Sequence, residues 1–294
     1  MRYVTLVLAT ALIATAGPVL AQDDAWPASV LITNDDGIDD PGLRALAQAF
    51  ASVTKTYVVA PMENKSGSTS YVSALSTRRL EGESRDLGGG IVAYAVDGYP
   101  ADAVVLALGG LLDERPALVI SGVNGGPNLS ADWSLSGTVG AARIAALLGV
   151  PAIAVSGYTT EQPETLAAVA AWVAELARSP LVRGMEPGDY LTVSVPRVPV
   201  SEIQGISIVS RSARNWELGF ERSPEPASAS GRESWQLTFS RRQIALEPGT
   251  DVPVYQANRI AIVPMHVNEH DYELLEELMN SSAGVPAWPG AAER

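Results

Sequence analysis

The chain has 294 residues, 47% of them hydrophobic, which suffices for one large hydrophobic core or two linked ones. Its formal net charge of −13 at pH 7 argues against a broad basic surface for nucleic-acid backbones. A small anionic substrate stays compatible with this charge, because a bound metal ion can outweigh it locally. The chain has no cysteine, so disulfide bonds and lipid attachment to cysteine are excluded.

The first 21 residues are typical of a secretory signal peptide. Arg2 gives a minimal positive start, residues 4–16 are almost wholly apolar, and Val19-Leu20-Ala21 offers small residues where a signal peptidase reads. We expect cleavage after Ala21 and a periplasmic or secreted protein with no membrane contact. An uncleaved membrane anchor is the alternative, but the apolar run is shorter than the roughly 20 residues that a span needs.

Strand and helix patterns alternate after a short polar lead. The spacing of apolar residues predicts a helix after Asp40-Pro41, where aspartate caps the helix and proline takes its first position. Strands are predicted at 29–33, 56–60, 91–96, 117–121 and 151–156, and further helices at 101–112, 138–148 and 163–178. Apolar strands separated by helices indicate a Rossmann-like α/β fold, with a mostly parallel sheet covered by helices on both faces.

The pattern changes beyond about residue 190. Strands are predicted at 190–196, 206–209, 235–239 and 259–264, followed by a helix at about 268–280. We interpret residues 28–282 as one α/β domain, with a core at about 28–190. A C-terminal extension at about 190–282 would contribute strand extensions, a β-hairpin and a C-terminal helix rather than further parallel units. Residues 283–294 are predicted to be disordered.

Two adjacent carboxylates follow the first predicted strand, in Asn34-Asp35-Asp36-Gly37. Buried carboxylates side by side repel each other and lose hydration, and a cation relieves both costs. Hard divalent cations such as Mg²⁺ prefer oxygen ligands of this kind. A turn whose side chains bond to the nearby backbone is an equal alternative for this segment alone. Asp40 is interpreted as the helix cap, and Asp39 as an exposed residue.

Two more polar loops follow predicted strands. One contains Ser66, and the other contains Asn124 and continues through Asn128 to Asp132. Taken singly, each loop is explained as an ordinary turn. The carboxyl ends of parallel strands meet at one edge of a sheet, however, and ligand sites form there. We therefore expect these loops to lie beside the two aspartates.

A fourth segment begins a predicted helix with the small residues Ser136, Gly137 and Thr138. Free backbone N–H groups at such a helix end bind phosphate. The alternative is that Ser136 only caps its own helix. A metal ion beside a phosphate-accepting helix end is the minimal equipment for transferring a phosphoryl group to water.

Together these segments resemble the SurE family of survival-protein nucleotidases over residues 29 to 280. The resemblance rests on five segments. They are Asn34-Asp35-Asp36-Gly37, Val58-Val59-Ala60-Pro61 followed by Ser66-Gly67, Gly98-Tyr99-Pro100-Ala101-Asp102, Ser121-Gly-Val-Asn124 and Ser136-Gly-Thr-Val-Gly-Ala-Ala. It implies a Rossmann-like, metal-dependent phosphatase of nucleoside 5′- and 3′-monophosphates that forms homodimers or homotetramers through an exchanged hairpin and C-terminal elements. Carried over by position, the implied metal ligands are Asp35, Asp36, Ser66 and Asn124; Ser136, Gly137 and Thr138 lie beside the phosphate; and Asn34, Asn128 and Asp132 lie near the site.

The chain departs from the family pattern at several positions. Tyr99 replaces a threonine, Ala103 a cysteine, Ser130 a glycine and Leu135 a tyrosine, and Ala261-Ile-Val-Pro264-Met265 replaces Ser-x-Thr-Pro-Leu. None of these changes removes an implied metal ligand. They put the substrate preference in question, rather than the activity.

The sequence-based hypothesis is an exported phosphatase with one Mg²⁺ or Mn²⁺ per subunit, acting on nucleoside monophosphates or other small phosphate esters. Asp35 and Asp36 are its catalytic residues, and Asp35 would take a proton from the attacking water. A periplasmic nucleotide- or phosphate-binding protein without turnover is the main alternative. The chain has no Gly-x-Gly-x-x-Gly motif after its first strand, which argues against a dinucleotide-dependent oxidoreductase. It has no Gly-x-Ser-x-Gly motif, which argues against a serine hydrolase. His266 and His270 are expected to be structural.

Overall fold

The computed structural model describes residues 26–223 and 233–280 of the chain. The predicted signal peptide, its cleavage point and the predicted disordered tail at 283–294 all lie outside these residues. Among the helices of the described ranges, none is long and apolar enough to cross a membrane.

Eleven strands are present in the described ranges. In chain order they are β1 (Ser29–Thr33), β2 (Lys55–Pro61), β3 (Glu81–Arg85), β4 (Val92–Asp97), β5 (Leu118–Asn124), β6 (Ala152–Ser156), β7 (Asp189–Ser194), β8 (Ile206–Ile208), β9 (Trp216–Arg222), β10 (Trp235–Arg241) and β11 (Ile260–His266).

The α-helices are α1 (Pro41–Ala51), α2 (Ala74–Thr77), α3 (Pro100–Leu106), α4 (Gly137–Leu147), α5 (Pro163–Arg178), α6 (Pro180–Arg183), α7 (Asp251–Gln256) and α8 (Tyr272–Asn280). A π-helical turn at Ala107–Leu111 and 3₁₀ turns at Ser130–Ser134 and Val200–Glu202 complete them.

Nine strands form one sheet in the order β3-β4-β2-β1-β5-β6-β7-β11-β8. The six strands from β4 to β7 in this order are parallel. β3 pairs antiparallel with β4, and β11 pairs antiparallel with β7 and parallel with β8. β9 and β10 form a separate antiparallel hairpin. The predicted fold class is therefore confirmed: a mostly parallel sheet with helices, plus a C-terminal hairpin.

The sheet has a hydrophobic core on each face. Along β1, Val30 and Ile32 face the core beneath α1 and α5, while Leu31 faces the core beneath α3 and α4. Because successive side chains of a strand point to opposite faces, a strand buried on both faces has no polar position. This explains the apolar runs at the centre of the parallel strands, such as Val30-Leu31-Ile32 in β1.

The order of the strands creates a crevice at the carboxyl ends of β1 and β5. The chain leaves β1 for β2 on one side, and β5 pairs with β1 on the other. Loops that leave such a switch point diverge, and the gap between them is where open α/β sheets bind ligands. Asp35 is the second residue after β1, and Asn124 ends β5.

Two sequence-based expectations are wrong in detail. The helix expected at 101–112 ends at Leu106 and continues as a π-helical turn, in which Gly110 has φ 140°. Two adjacent glycines at 109 and 110 weaken an α-helix and permit this turn. In the extension, β7 pairs in parallel with β6, so the parallel part of the sheet runs past residue 190.

Of the two histidines, His266 can be placed relative to the crevice from the strand register. His266 ends β11, which is antiparallel to β7, and it pairs with Asp189 at the start of β7. It therefore lies at the edge of the sheet opposite the carboxyl ends of β1 and β5. Here its Nδ1 accepts a hydrogen bond from the backbone N–H of Asn268 (2.9 Å), while the ring of His270 packs at 5.0 Å from that of Tyr272.

Candidate phosphate-ester site at the sheet crevice

An open pocket of about 260 Å³ lies at the crevice. It brings together six residues that the sequence placed in or near a site; Asn124 ends β5, and the other five lie in segments that follow a strand. These are Asp35, Ser66, Asn124, Asn128, Asp132 and Ser136, with Gly67, Pro127 and Leu135 completing the wall.

The turn after β1 is held by Asn34. Its side chain donates to the Gly37 carbonyl (3.0 Å) and accepts from the Gly37 N–H (3.1 Å), and it is fully buried. Gly37 has φ 108°, which a residue with a side chain rarely adopts. Asn34 therefore shapes the turn that presents Asp35 and Asp36, as the turn alternative expected.

Asp35 connects this turn to the start of α4. Its Oδ1 accepts a hydrogen bond from the Thr138 hydroxyl, and its backbone carbonyl accepts from the Lys65 N–H (2.7 Å). Burial raises the pKa of Asp35, and the Thr138 hydroxyl and the Thr138 and Gly137 backbone N–H groups oppose that rise. The carboxylate thus faces the helix end at which phosphate was predicted.

Asp36 is half-buried and binds two other loops. Its Oδ1 accepts from Asn64 Nδ2 (2.9 Å), and its Oδ2 accepts from the Gly125 N–H (3.2 Å). Asn64 Oδ1 also accepts a hydrogen bond from the Ser66 N–H (2.9 Å). The Asn64 side chain therefore links Asp36 to Ser66, two of the predicted metal ligands. Asp36 is not among the residues that line the pocket.

Electrostatics make the aspartate pair costly without a counter-charge. Burial, followed by the charges of Asp35 and Asp40, raises the pKa of Asp36 to about 6, and the hydrogen bonds from Gly125 and Asn64 oppose this. A carboxylate whose pKa rises in this way gains most from a nearby cation.

The predicted helix start is present, and Ser136 both caps the helix and lines the pocket. Ser136 Oγ accepts from the Val139 N–H (3.1 Å), so Ser136 caps α4, and it also lines the pocket. The hydroxyl of Thr138 is used by Asp35 rather than left free. Gly137 is tightly enclosed, since a Cβ there would lie 2.8 Å from the Asp35 Cβ.

The interpretation of Asp39 and Asp40 is confirmed. Asp40 Oδ1 accepts from the N–H groups of Gly42 (2.7 Å) and Leu43 (3.2 Å), which caps α1. Asp39 is exposed and pairs with Arg44 (2.6 Å). Asp40 also accepts from the Tyr158 hydroxyl (2.6 Å), a contact that the sequence did not indicate.

The loop that carries Asn128 and Asp132 is fixed by the C-terminal part of the chain. Arg211 donates to the carbonyl oxygens of Asn128 (3.0 Å) and Ser130 (3.3 Å), and it lies 3.5 Å from Asp251. Asp251, which is 1% exposed, accepts the Ser130 N–H (2.8 Å). A buried arginine is stable only with such partners, so the core and the extension jointly hold this loop.

The departures from the family pattern have local explanations. Ser130 has φ 53°, which glycine adopts more easily, and its hydroxyl compensates by donating to the Ala213 carbonyl (2.8 Å). Tyr99 packs edge-on against Tyr71, with ring centroids 4.8 Å apart, and Leu135 is 42% exposed at the pocket. None of the three is among the hydrogen-bond partners recorded for Asp35 and Asp36 in the described ranges.

Asp132 is enclosed beside the pocket. Burial raises its pKa, and the charge of Arg241 and a backbone hydrogen bond oppose the rise. Arg241 belongs to β10 and lies 3.8 Å from Asp132 Oδ2. The hairpin therefore reaches the wall of the pocket.

Asp35, Ser66 and Asn124 line the pocket, and together with the adjacent Asp36 they could hold a hard divalent cation. Two carboxylates, one amide oxygen and one hydroxyl are an all-oxygen set of the kind that Mg²⁺ and Mn²⁺ accept. Within residues 26–223 and 233–280, no cluster of three or more histidine, cysteine, aspartate or glutamate side chains is arranged to hold a metal. A cation would therefore depend on the aspartate pair together with neutral oxygens.

Sequence reasoning missed three contributors to this site. Asn64 and Gly125 bind Asp36, and Ser68 approaches Gly137. Four of the five residues in Ser66-Gly67-Ser68-Thr69-Ser70 carry a hydroxyl, and this was the only sign in the sequence that Ser68 could belong to the site.

Comparison with known proteins agrees with the motifs. The family model described as "Survival protein SurE" matches residues 30–218. A "5'-nucleotidase SurE" of Desulfatibacillum aliphaticivorans is 38% identical over 253 residues, which are 85% of this chain and 96% of that protein. The Moorella thermoacetica protein of the same name is 34% identical over 265 residues, covering 90% and 99%.

The fold has a solved counterpart. The crystal structure of the SurE protein from Aquifex aeolicus matches with a TM-score of 0.69 and 27% identity, covering 85% of this chain and 98% of that one. The sequence matches extend over nearly the whole length of these relatives, and the fold match over nearly the whole solved chain. The chain belongs to the SurE family.

Proposed function

We propose that this chain hydrolyses nucleoside 5′-monophosphates, and also 3′-monophosphates, to nucleoside and phosphate with one Mg²⁺ or Mn²⁺ per subunit. Membership of a family whose curated relatives are named 5'-nucleotidase supports the class of enzyme, a hydrolase of phosphoric monoesters. The observation that carries the finer proposal is the adjacent aspartate pair, with Asp35 buried and Asp36 half-buried, beside a helix start with small residues.

The proposed metal ligands are Asp35, Asp36, Ser66 and Asn124. Asn124 donates its amide N–H to the Gly126 carbonyl (2.6 Å), so its side-chain oxygen is the atom available to a cation. A bound divalent cation would offset charge on the phosphate and lower the pKa of water.

The residues of the chain would position and polarise the substrate. The backbone N–H groups of Gly137 and Thr138, which face Asp35 in this structure, would meet the phosphate beside that carboxylate, where negative charge grows in the transition state. Asp35 Oδ1 is bound by Thr138, so Asp35 Oδ2 is the oxygen we assign to accept the proton of the attacking water. Asn128, held through Ser156 Oγ (2.7 Å), would orient the ester from the opposite wall.

The alternative is a binding protein that does not turn its ligand over. Such a protein needs the phosphate-accepting helix start but gains nothing from a pair of adjacent carboxylates that repel both each other and the ligand. The two proposals differ in a direct measurement.

Purified protein lacking residues 1–21 is expected to release phosphate from AMP in the presence of Mg²⁺ or Mn²⁺. EDTA should stop the release, and excess metal should restore it. Phosphate release would be followed for each nucleoside monophosphate and for a chromogenic ester. Nucleotide binding without any release, at every metal tested, would contradict the proposal and favour the binding protein.

Export and assembly are further parts of the proposal. Export rests on the signal-peptide pattern of residues 1–21, and N-terminal sequencing of the periplasmic protein should begin at Gln22.

A homodimer or homotetramer is supported by large apolar side chains on one face of the hairpin. They are Leu218, Phe220, Trp235, Leu237 and Phe239, all at least 46% exposed. Light scattering should give a mass of two or four chains; a monomer would contradict this part alone.

A further inference from the structure

The turn that forms one wall of the pocket, residues 127–132, is held in place by Arg211. Its Nη1 donates to the backbone carbonyl oxygens of Asn128 (3.0 Å) and Ser130 (3.3 Å), which lie two residues apart on this turn. Its Nη2 donates to the hydroxyl of Thr192 (2.7 Å) in β7. One guanidinium group, on a side chain that is only 14% exposed, therefore joins the turn to the sheet.

The backbone of this turn needs such partners. Ser130 has φ 53°, a left-handed conformation that residues with side chains adopt uncommonly. Its N–H donates to Asp251 Oδ2 (2.8 Å), and that oxygen lies 3.5 Å from Arg211 Nη1. The carbonyl and N–H groups of the turn are thus bound by the two members of one ion pair.

Arg211 affects the pocket through Asn128. Asn128 is buried and lines the pocket, and its Nδ2 donates to Ser156 Oγ (2.7 Å). That bond holds the end of the side chain, whereas the bond from Arg211 holds the main chain of the same residue. Together the two bonds define where the Asn128 amide stands in the pocket wall.

We infer that Arg211 is a positioning residue for substrate binding, which acts through Asn128 without touching the substrate. This inference rests on the proposed function, in which Asn128 orients the ester. Among the described residues, the hydrogen bonds and the ion pair of Arg211 involve none of the four proposed metal ligands. A change at Arg211 should therefore weaken substrate binding and leave metal binding unchanged.

The test replaces the guanidinium group but keeps its charge. Arg211→Lys retains a cation beside Asp251, but a single ammonium group lacks the planar fork that reaches both carbonyl oxygens and the Thr192 hydroxyl. In the mature chain with Mn²⁺, KM for AMP should rise about tenfold, as expected when about one hydrogen bond to a charged ligand is lost. The values of kcat and of the Mn²⁺ affinity should stay at those of the wild type.

This split between KM and kcat distinguishes positioning from support of the fold. A variant that is only destabilised has a lower melting temperature and a smaller active fraction, which lowers the apparent kcat but leaves KM unchanged. An unchanged KM in Arg211→Lys would overturn the inference, and so would a parallel loss of Mn²⁺ affinity.

A double-mutant cycle tests whether Arg211 acts through Asn128. Asn128→Ala should raise KM by itself, and adding Arg211→Lys to that variant should raise KM no further, because the amide to be positioned is already absent. Equal increases in KM in the two backgrounds would overturn the inference.

Arg143→Lys is the matched control. The guanidinium carbons of Arg143 and Arg211 lie 5.9 Å and 6.0 Å from the centroid of the Trp133 ring, but Arg143 pairs with Glu269 (2.6 Å) instead of the pocket wall. KM of this variant should stay at the wild-type value. If the wild-type chain binds AMP but releases no phosphate, the proposed function fails, and the dissociation constant for AMP takes the place of KM in the same comparison. A wild-type chain that binds no AMP would overturn both.

Discussion

Asp36→Asn is expected to reduce metal-dependent phosphate release from AMP by about 10³-fold or more, and Asp35→Asn should do the same. Each change removes one of the two negative charges that would hold the cation. Metal ions contribute several kcal/mol of charge stabilisation to such reactions, which corresponds to a loss of this size. The measurement is kcat/KM for AMP across a range of Mg²⁺ and Mn²⁺ concentrations.

The same change should not weaken the metal-free fold. The pKa of Asp36 is raised to about 6 from an ordinary value near 3.8, chiefly by burial and then by the charge of Asp35. A carboxyl whose folded-state pKa exceeds its unfolded-state value costs stability above that pKa, because folding disfavours the ionised form. At neutral pH, Asp36→Asn therefore removes a cost, so its melting temperature without metal should match or exceed that of the wild type.

Asp39→Asn is the matched control for both measurements. Asp39 is only three residues from Asp36 but is exposed and pairs with Arg44, so the variant should keep full activity. Full activity in either Asp35→Asn or Asp36→Asn would refute the assignment of the site. A melting temperature of Asp36→Asn that falls by many degrees would instead show that the carboxylate supports the fold directly.

The parallel core could be predicted because its strands carry their own pattern. Val30-Leu31-Ile32 is apolar at every position, and Asp40-Pro41 begins α1 where capping rules place it. The edge strand β3, Glu81–Arg85, carries no such pattern. Its residues are mostly exposed, and it forms because its backbone pairs with β4, which a sequence does not display.

The extension was harder to predict for a related reason. The parallel strand β7 and the short helix α7 depend on neighbours that are distant in sequence. Asp251, the first residue of α7, is buried because Ser130, Arg211 and Ser212 bind it. In the sequence, nothing distinguishes Asp251 from the other residues among the 33 aspartates and glutamates, so its burial could not be predicted.

For the candidate site, too, the sequence predicts which residues converge but does not predict the contacts between them. Asp35, Ser66, Asn124 and Ser136 could be predicted to converge, because each follows a strand or begins a helix at one edge of the sheet. The contacts between them could not. Asn64 links Asp36 to Ser66, and Ser68 meets Gly137, only after the loop after β2 folds onto α4.

Gly140→Ala is expected to lower kcat/KM by about a hundredfold through that same loop. A Cβ at residue 140 would lie 2.0 Å from the carbonyl oxygen of Thr69 and 2.8 Å from the Ser70 N. These are backbone atoms that cannot rotate away, so the loop must move off the helix. Displacing a positioning group by about 1 Å can cost about a hundredfold in rate.

Local helix preference and tertiary packing make opposite predictions for this variant. Alanine is favoured over glycine within a helix by about 1 kcal/mol, so preference alone would stabilise α4. Forcing a methyl group into a filled space typically costs about 1–3 kcal/mol. We expect packing to win, with a lower melting temperature together with the loss of activity.

Gly109→Ala provides the comparison, because a Cβ there meets no atom within 4 Å and the residue is exposed. That variant should keep the wild-type rate and lose no stability. Both variants would be compared by thermal unfolding and by kcat/KM for AMP. If Gly140→Ala were as active as the wild type and more stable, the close approach of Thr69 to α4 would not constrain the loop, and Ser66 and Ser68 would owe their positions to other contacts.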